Sequence, residues 1–307
     1  MDNKLKQLTA KKRKLDTYRP LPPELVKNLD EWFKIELTYT SNAIEGNTLT
    51  RAETALVVEK GLTVQGKSLT EHLEATNHAE ALDYVKTLVS KKRQDITEQD
   101  ILDIHRLILN KIEADNVGRY RTQHARLTQT DVVLPNPVKV PWLMEEFVEW
   151  LAGDNHDHIV KIGADAHYKL VSIHPFSDGN GRTSRLLMNL TLMQEGYPPA
   201  IIRKEDRLVY INSLEKAQKG MGLDNFYGLI YGAVDRSLDI YLKALQPEGE
   251  QIFYTTDEVA KLLRVDPESV RRYVRRGTLR AVKLGGKFIR IDRADLDRFI
   301  EKLKTKQ

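Results

Sequence analysis

The chain of 307 residues contains no cysteine. Disulfide cross-links and thiolate metal centres are therefore excluded, and the composition fits a reducing compartment, the cytoplasm. Long apolar runs are missing as well. No window approaches the run of about 18 consecutive apolar residues that a membrane-spanning helix needs. The opening MDNKLKQLTAKKRKL has no apolar stretch of the kind a secretory signal carries, so the expectation is a chain that is not secreted and meets no membrane. Internal repeats and low-complexity tracts are also absent.

What remains is 41% hydrophobic and 30% charged, enough apolar mass for a core, and the length suggests two units. The net charge of +4 is unevenly spread: residues 251–307 hold 15 Lys and Arg against 8 Asp and Glu, leaving 33 against 36 for residues 1–250. A tail at +7 beside a body at −3 suggests that only the tail meets a polyanion.

Apolar residues recur at helical spacing through most of residues 22–245, for example in HAEALDYVKTLVSKK, TEQDILDIHRLILNKI and VPWLMEEFVEWLAG. Residues 118–138 (GRYRTQHARLTQTDVVLPNPV) break that pattern with alternation and prolines, which predicts a short β-hairpin. LQPEGEQ at 245–251 has linker composition. Beyond it, Thr255-x-x-Glu258 is a capping box, Asp266-Pro267 opens a second helix, Gly277 closes it, and AVKLGGKFIRI turns at Gly285-Gly286. The expected fold is mainly α: a helical region at 1–95, a second helical domain at 96–245, a linker at 246–251 and a small winged helix-turn-helix at 252–307.

The densest chemistry lies in VSIHPFSDGNGRTSR, residues 171–185. A helix ends near Pro175 and another begins after a glycine-rich turn. Gly179 and Gly181 let backbone amides converge, and a helix N-terminus favours an anion. Arg182 and Arg185 add positive charge near the first turn. Asp178 belongs in such a site if a cation accompanies the anion, as Mg2+ accompanies a polyphosphate. His174 is the nearby group that titrates near neutral pH, hence the candidate general base. Phosphate chemistry is what these residue types share.

The stretch HPFSDGNGRTSR, residues 174–185, resembles the signature of the Fic family of protein adenylyltransferases without departure. Ser41-Asn-Ala-Ile-Glu45-Gly46-Asn47 is similar to the family's N-terminal inhibitory motif, and Gly118-Arg-Tyr120-Arg121 to the segment before its flap. The resemblance spans roughly residues 20–245 and makes residues 96–245 the catalytic domain. It implies transfer of AMP from ATP to a Ser, Thr or Tyr hydroxyl of a protein target, or of the chain itself. His174 would deprotonate the hydroxyl, and Asp178 would hold Mg2+. Gly179, Asn180 and Gly181 would cradle the phosphates, which Arg182 and Arg185 would neutralise. The flap, with Leu127, Thr128, Gln129 and Thr130 beside the nucleotide, would pin the target backbone as an added strand. Tyr210 and Gln218 fall where the family contacts the nucleoside, although Asn is common at the latter position.

The same resemblance makes Glu45 an autoinhibitor. Four residues after Ser41, it would pair with Arg185 and so withhold the guanidinium that the γ-phosphate needs. In some members of the family this glutamate also supports removal of AMP. In the basic tail, Arg271, Arg272 and Arg275 on the second helix, with Lys287 and Arg290 in or beside the wing, are candidates to meet duplex DNA. That region resembles the excisionase/MerR-like helix-turn-helix family. His105 and His167 read as structural. Two other readings stand beside the enzyme: a nucleotide-sensing DNA-binding regulator, and a phosphotransferase. The intact His174/Asp178 pair favours the adenylyltransferase, since a sensor needs no general base, and the unaltered GNGR disfavours phosphotransfer. The target, the DNA site and any homo-oligomer are not specified.

Overall fold

A computed structural model describes residues 2–113, 115–127, 130–154, 156–245, 253–284 and 288–304. The chain divides into two compact units, residues 1–243 and 244–307. Among the described residues no helix is long and apolar enough to cross a membrane.

Among the described residues ten α-helices build the first unit: α1 (Asp2–Asp16), α2 (Pro23–Ile44), α3 (Arg51–Lys60), α4 (Leu69–Leu88), α5 (Glu98–Ile108), α6 (Val140–Ala152), α7 (Ile159–Ile173), α8 (Asn180–Gln194), α9 (Arg207–Gln218) and α10 (Asp224–Leu245). Three of the starts follow from local chemistry. Thr50, Ser68 and Thr97 each cap a helix whose third residue, Glu53, Glu71 or Asp100, returns a bond to the cap. The core gathers Phe33 and Leu37 of α2, Leu82 and Val85 of α4, and Ile101 and Ile104 of α5. Phe147 of α6, Leu170 of α7 and Leu187 of α8 complete it.

α8 is the central element. Every residue from Thr183 to Leu192 is buried, polar ones included. A helix enclosed on all sides presents no solvated face, and its ends are held by the helices around it. Its N-terminus is therefore a fixed point, and the turn from α7 leads straight to it.

Residues 118–138 depart from the expected hairpin: their described members form no paired strand. Arg121 supplies the reason. Its Nη1 takes the Gln123 carbonyl at 3.1 Å and its Nη2 the Pro135 carbonyl at 2.6 Å, acceptors that a ladder would otherwise use.

The second unit follows the predicted order: β1 (Phe253–Tyr254), α11 (Thr256–Leu263), α12 (Pro267–Arg275), β2 (Val282–Leu284), β3 (Phe288–Asp292) and α13 (Arg293–Lys304). Its antiparallel sheet runs β1-β3-β2, with Leu284 opposite Phe288. Val259, Val270, Leu279, Ile291 and Phe299 form its own core. The tip of the wing, 285–287, and the linker residues 246–251 lie outside the described residues.

Leu187→Ala in α8 should cost about 2–5 kcal/mol in urea unfolding, because Leu187 is fully enclosed. Trp142→Ala, at a half-exposed position on α6, should stay within about 1 kcal/mol. Equal losses at the two positions would contradict the placement of α8 at the centre.

Candidate active site

The turn between α7 and α8 is bracketed by two left-handed residues, His174 at φ +52° and Gly179 at φ +75°. Glycine adopts this conformation freely, whereas a histidine must be held in it. His174 is held from outside: Arg121 Nε donates to its carbonyl at 2.8 Å, and the Arg121 amide donates to the Pro175 carbonyl at 2.9 Å. Asn180 braces the turn from inside. Its Oδ1 accepts from the Phe176 amide at 3.0 Å and its Nδ2 donates to the Phe176 carbonyl at 2.9 Å. The side chain expected to cradle phosphate is thus committed to the loop, and Asn180 can offer a ligand only its backbone.

His105 supports the turn from below. Its Nδ1 accepts from the Gly118 amide at 3.1 Å, so Nε2 carries the proton and donates to the Asp178 carbonyl at 3.1 Å. The ring stacks on Phe176 with centroids 3.6 Å apart. Burial pushes its pKa down to about 4, in keeping with a neutral structural imidazole.

At the start of α8 no side chain caps the helix. Thr183 is the first residue whose amide finds its helical acceptor, the Gly179 carbonyl at 2.9 Å. The amides of Asn180, Gly181 and Arg182 precede it, as first-turn donors do in any helix. Glu45 approaches this first turn at Gly181. A methyl group on residue 181 would run into Glu45 Oε1, so glycine there is what lets the glutamate approach.

Glu45 closes the C-terminus of α2, and its Oε1 accepts from Arg185 Nη2 at 2.7 Å. Ser41 holds the same guanidinium twice, through Oγ to Nε at 2.9 Å and through its carbonyl to Nη2 at 2.9 Å. Arg185 Nη1 reaches the hydroxyl of buried Tyr210 at 3.3 Å, and that hydroxyl meets His167 Nε2 at 2.8 Å. Burial works against the charge on Arg185, but Glu45 and Tyr210 more than offset it and hold the guanidinium above its ordinary pKa. Tyr210, expected at the nucleoside, here helps to fix Arg185. Glu45, Ser41, Arg185, Tyr210 and His167 form one cluster.

His174 is half-buried. Burial, assisted by Arg121, pushes its pKa down to about 4, although a hydrogen bond to the Val171 backbone and the charges of Glu45 and Asp178 oppose the shift. The imidazole is therefore neutral at physiological pH. Asp178 lies four residues on with its side chain 58% exposed, its Oδ1 bonded to the Gly179 amide at 2.6 Å and its Oδ2 to Arg182 Nη2 at 3.1 Å.

Arg182 does not reach into the open; its side chain is 2% exposed and ion-pairs with Glu74 of α4 at 3.0 Å. Glu74 is not marked by the sequence, whereas Asn47, which donates to its other carboxylate oxygen at 2.9 Å, ends the stretch that resembles the inhibitory motif. No motif marks a glutamate on a separate helix. Among the described residues no group of three or more His, Asp or Glu could hold a metal by itself. One exposed carboxylate fits Mg2+ that arrives on a polyphosphate and keeps several waters.

Of the flap, Thr130 hydrogen-bonds Glu215 of α9 at 2.9 Å and Leu127 is half-buried, whereas Thr128 and Gln129 lie outside the described residues. Gln218 ends α9 and reaches Ser172 Oγ at 3.5 Å. In the second unit Arg271, Arg272 and Arg275 are exposed on α12. Arg271 and Arg275 pair with Glu268 of the same helix, and Arg272 donates to Ser269 at 3.1 Å. Arg290 lies on β3 and donates to the Ile289 carbonyl at 3.3 Å; Lys287 lies outside the described residues.

Residues 95–192 match the Fic/DOC family, and residues 253–304 match a helix-turn-helix domain. The chain is 42% identical over 217 residues to a protein adenylyltransferase Fic from Nematostella vectensis, covering 69% of this chain and 50% of that protein. A protein adenylyltransferase Fic from Aedes aegypti is 41% identical over 221 residues, covering 71% and 44%. The chain thus spans about half the length of the curated relatives it matches. Among solved structures, Fic-1 from C. elegans superposes with a TM-score of 0.73 at 31% identity, over 80% of this chain and 72% of that one. A Fic domain containing signaling protein from Bacteroides thetaiotaomicron gives 0.72 at 32% identity, over 78% and 96%. A glutamate set on a glycine-rich helix N-terminus and on a buried arginine is the centre of this site, and these likenesses say which family it comes from: the chain belongs to the Fic family.

The enclosed histidines predict an acid-sensitive fold. His78 and His167 are both pushed down to about 3, burial first and the charge of Arg185 next. The unfolded chain takes up these protons below about pH 6.5, whereas the folded chain refuses them until near pH 3. Their contribution is therefore complete above about pH 6.5 and is lost as pH falls, at roughly 1.4 kcal/mol per pH unit for each histidine. Urea unfolding at about pH 7 and about pH 5 should show this loss. His167→Gln should flatten the slope by about one proton. An unchanged slope in that variant would contradict the buried neutral assignment.

Proposed function

We propose that the chain is a Mg2+- and ATP-dependent adenylyltransferase that modifies protein hydroxyls and is held in check by Glu45. The observation that carries this reading is the carboxylate of Glu45 lying on the first turn of α8 and on Arg185. A binding site for phosphate is filled by an internal anion.

In this reading a triphosphate displaces Glu45 and takes over the amides of Asn180, Gly181 and Arg182 together with the guanidinium of Arg185. The acceptor hydroxyl, on a target segment laid along the flap, loses its proton to the neutral imidazole of His174. Its oxygen forms a bond to the α-phosphorus, the bond to the bridging oxygen breaks, and pyrophosphate leaves with that electron pair. Asp178 would hold Mg2+, which when bound neutralises phosphate charge. The protein's work is positioning and electrostatics, as is general for transfer at phosphorus. Gln218 would border the nucleotide, and Tyr210 would act on it by way of Arg185. Residues 252–307 would dock on duplex DNA, α12 in the major groove with the wing on phosphate. Arg271 and Arg275 would exchange their Glu268 partner for the nucleic acid. The alternative, a nucleotide-sensing regulator, rests on the same helix-turn-helix unit.

Glu45→Gly should label itself from ATP carrying the label at the α-phosphate, and His174→Ala in that background should lower labelling by roughly 10²–10⁴-fold. Because His174 is depressed to about 4, labelling should hold below pH 6.5 and fail only as the pH nears that value. Label transferred only from the γ-position would mean phosphotransfer. ATP binding with no label in either case would mean a sensor.

Binding of the full chain to duplex DNA should weaken steeply with salt. Arg271→Ala should lower the salt slope by about one unit. A slope that does not change in the variant would place the contact elsewhere.

A further inference from the structure

We infer that Glu74 is a positioning residue that keeps Asp178 open to a divalent cation, an inference that rests on the nucleotidyl-transfer reading above. Arg182 and Asp178 are four residues apart across the start of α8, and a guanidinium beside a carboxylate favours a two-pronged pair that occupies both oxygens. That arrangement is not observed. Arg182 gives Nη2 to Asp178 Oδ2 at 3.1 Å and Nη1 to Glu74 Oε1 at 3.0 Å, so its fork is divided between two carboxylates. Glu74 is in turn fixed by Asn47, whose Nδ2 donates to Oε2 at 2.9 Å and to the Glu71 carbonyl at 3.0 Å.

The exposures grade outward: the side chain of Arg182 is 2% exposed, that of Glu74 18% and that of Asp178 58%. The enclosed cation is thus neutralised from behind by Glu74, while Asp178 in front remains accessible. Without the charge of Glu74, the nearest anion for the whole fork is Asp178. Closing on it would set the arginine in competition with the metal for the same two oxygens. Outer-shell partners of this kind set the affinity of the ligand they orient.

The test compares Glu45→Gly with Glu45→Gly/Glu74→Gln in the full chain. The Mg2+ concentration for half-maximal self-labelling should rise roughly tenfold or more, with most of the maximal rate restored at saturating Mg2+. Independently of activity, titration of Mn2+ followed by electron paramagnetic resonance, with a non-hydrolysable ATP analogue present, should show a similar weakening. Asn47→Ala loosens Glu74 while leaving its charge in place; it should shift both readouts the same way by less, and it decides the matter should Glu74→Gln fail to fold. A folded Glu74→Gln variant with a lower rate but unmoved Mg2+ and Mn2+ dependence would overturn the inference, because a purely structural role behaves that way. Labelling in Glu45→Gly with metal dependence unchanged in the double variant sinks this inference alone. Absence of label in Glu45→Gly itself sinks the transfer reading and this inference with it.

Discussion

A buried arginine must have an anion, and the rest of the site follows from how that need is met at Arg185. The guanidinium cannot shed its charge, and it is enclosed between α2, α8 and α9. Ser41, with both its hydroxyl and its carbonyl, and the Tyr210 hydroxyl fix where the planar group sits. These partners are neutral. They set orientation and leave the charge to Glu45, the anion that α2 brings to the guanidinium from inside the molecule.

The turn ahead of α8 shows the same division between fixed and exchangeable parts. Asn180, His105 and Arg121 spend their hydrogen bonds on backbone atoms of the turn, and each is buried. What they leave outward are the first-turn amides, the Asp178 carboxylate and the His174 ring. A residue such as His174, held at φ +52°, keeps that conformation only because its carbonyl is anchored from the flap segment. The turn is stiff by construction, which suits a site whose chemistry is mostly placement.

Much of this was legible in the sequence, for physical reasons that differ from part to part. The helices α2, α4, α5 and α6 follow apolar periodicity, α8 is enclosed on every face instead, and the second unit follows a capping box and an N-cap that are local signals. HPFSDGNGRTSR announces itself because glycines, charge and a break in periodicity coincide over a few residues. What the text did not disclose is long-range. Glu74 lies 108 residues from Arg182, and nothing around it differs from any glutamate on a solvated helix face. An amide in a turn can serve a ligand or the turn itself, and the bonds of Asn180 to Phe176 are a geometry that the sequence does not spell out. The flap was read as a hairpin because alternation was visible, whereas the guanidinium of Arg121 that consumes its carbonyls was not.

That same guanidinium joins two parts that catalysis has to keep in step. Arg121 grips both borders of the flap, at Gln123 and Pro135, and the backbone at His174 and Pro175. The two borders of that segment and the backbone that carries the His174 ring are thereby tied to one planar group, so a displacement of either is passed directly to the other.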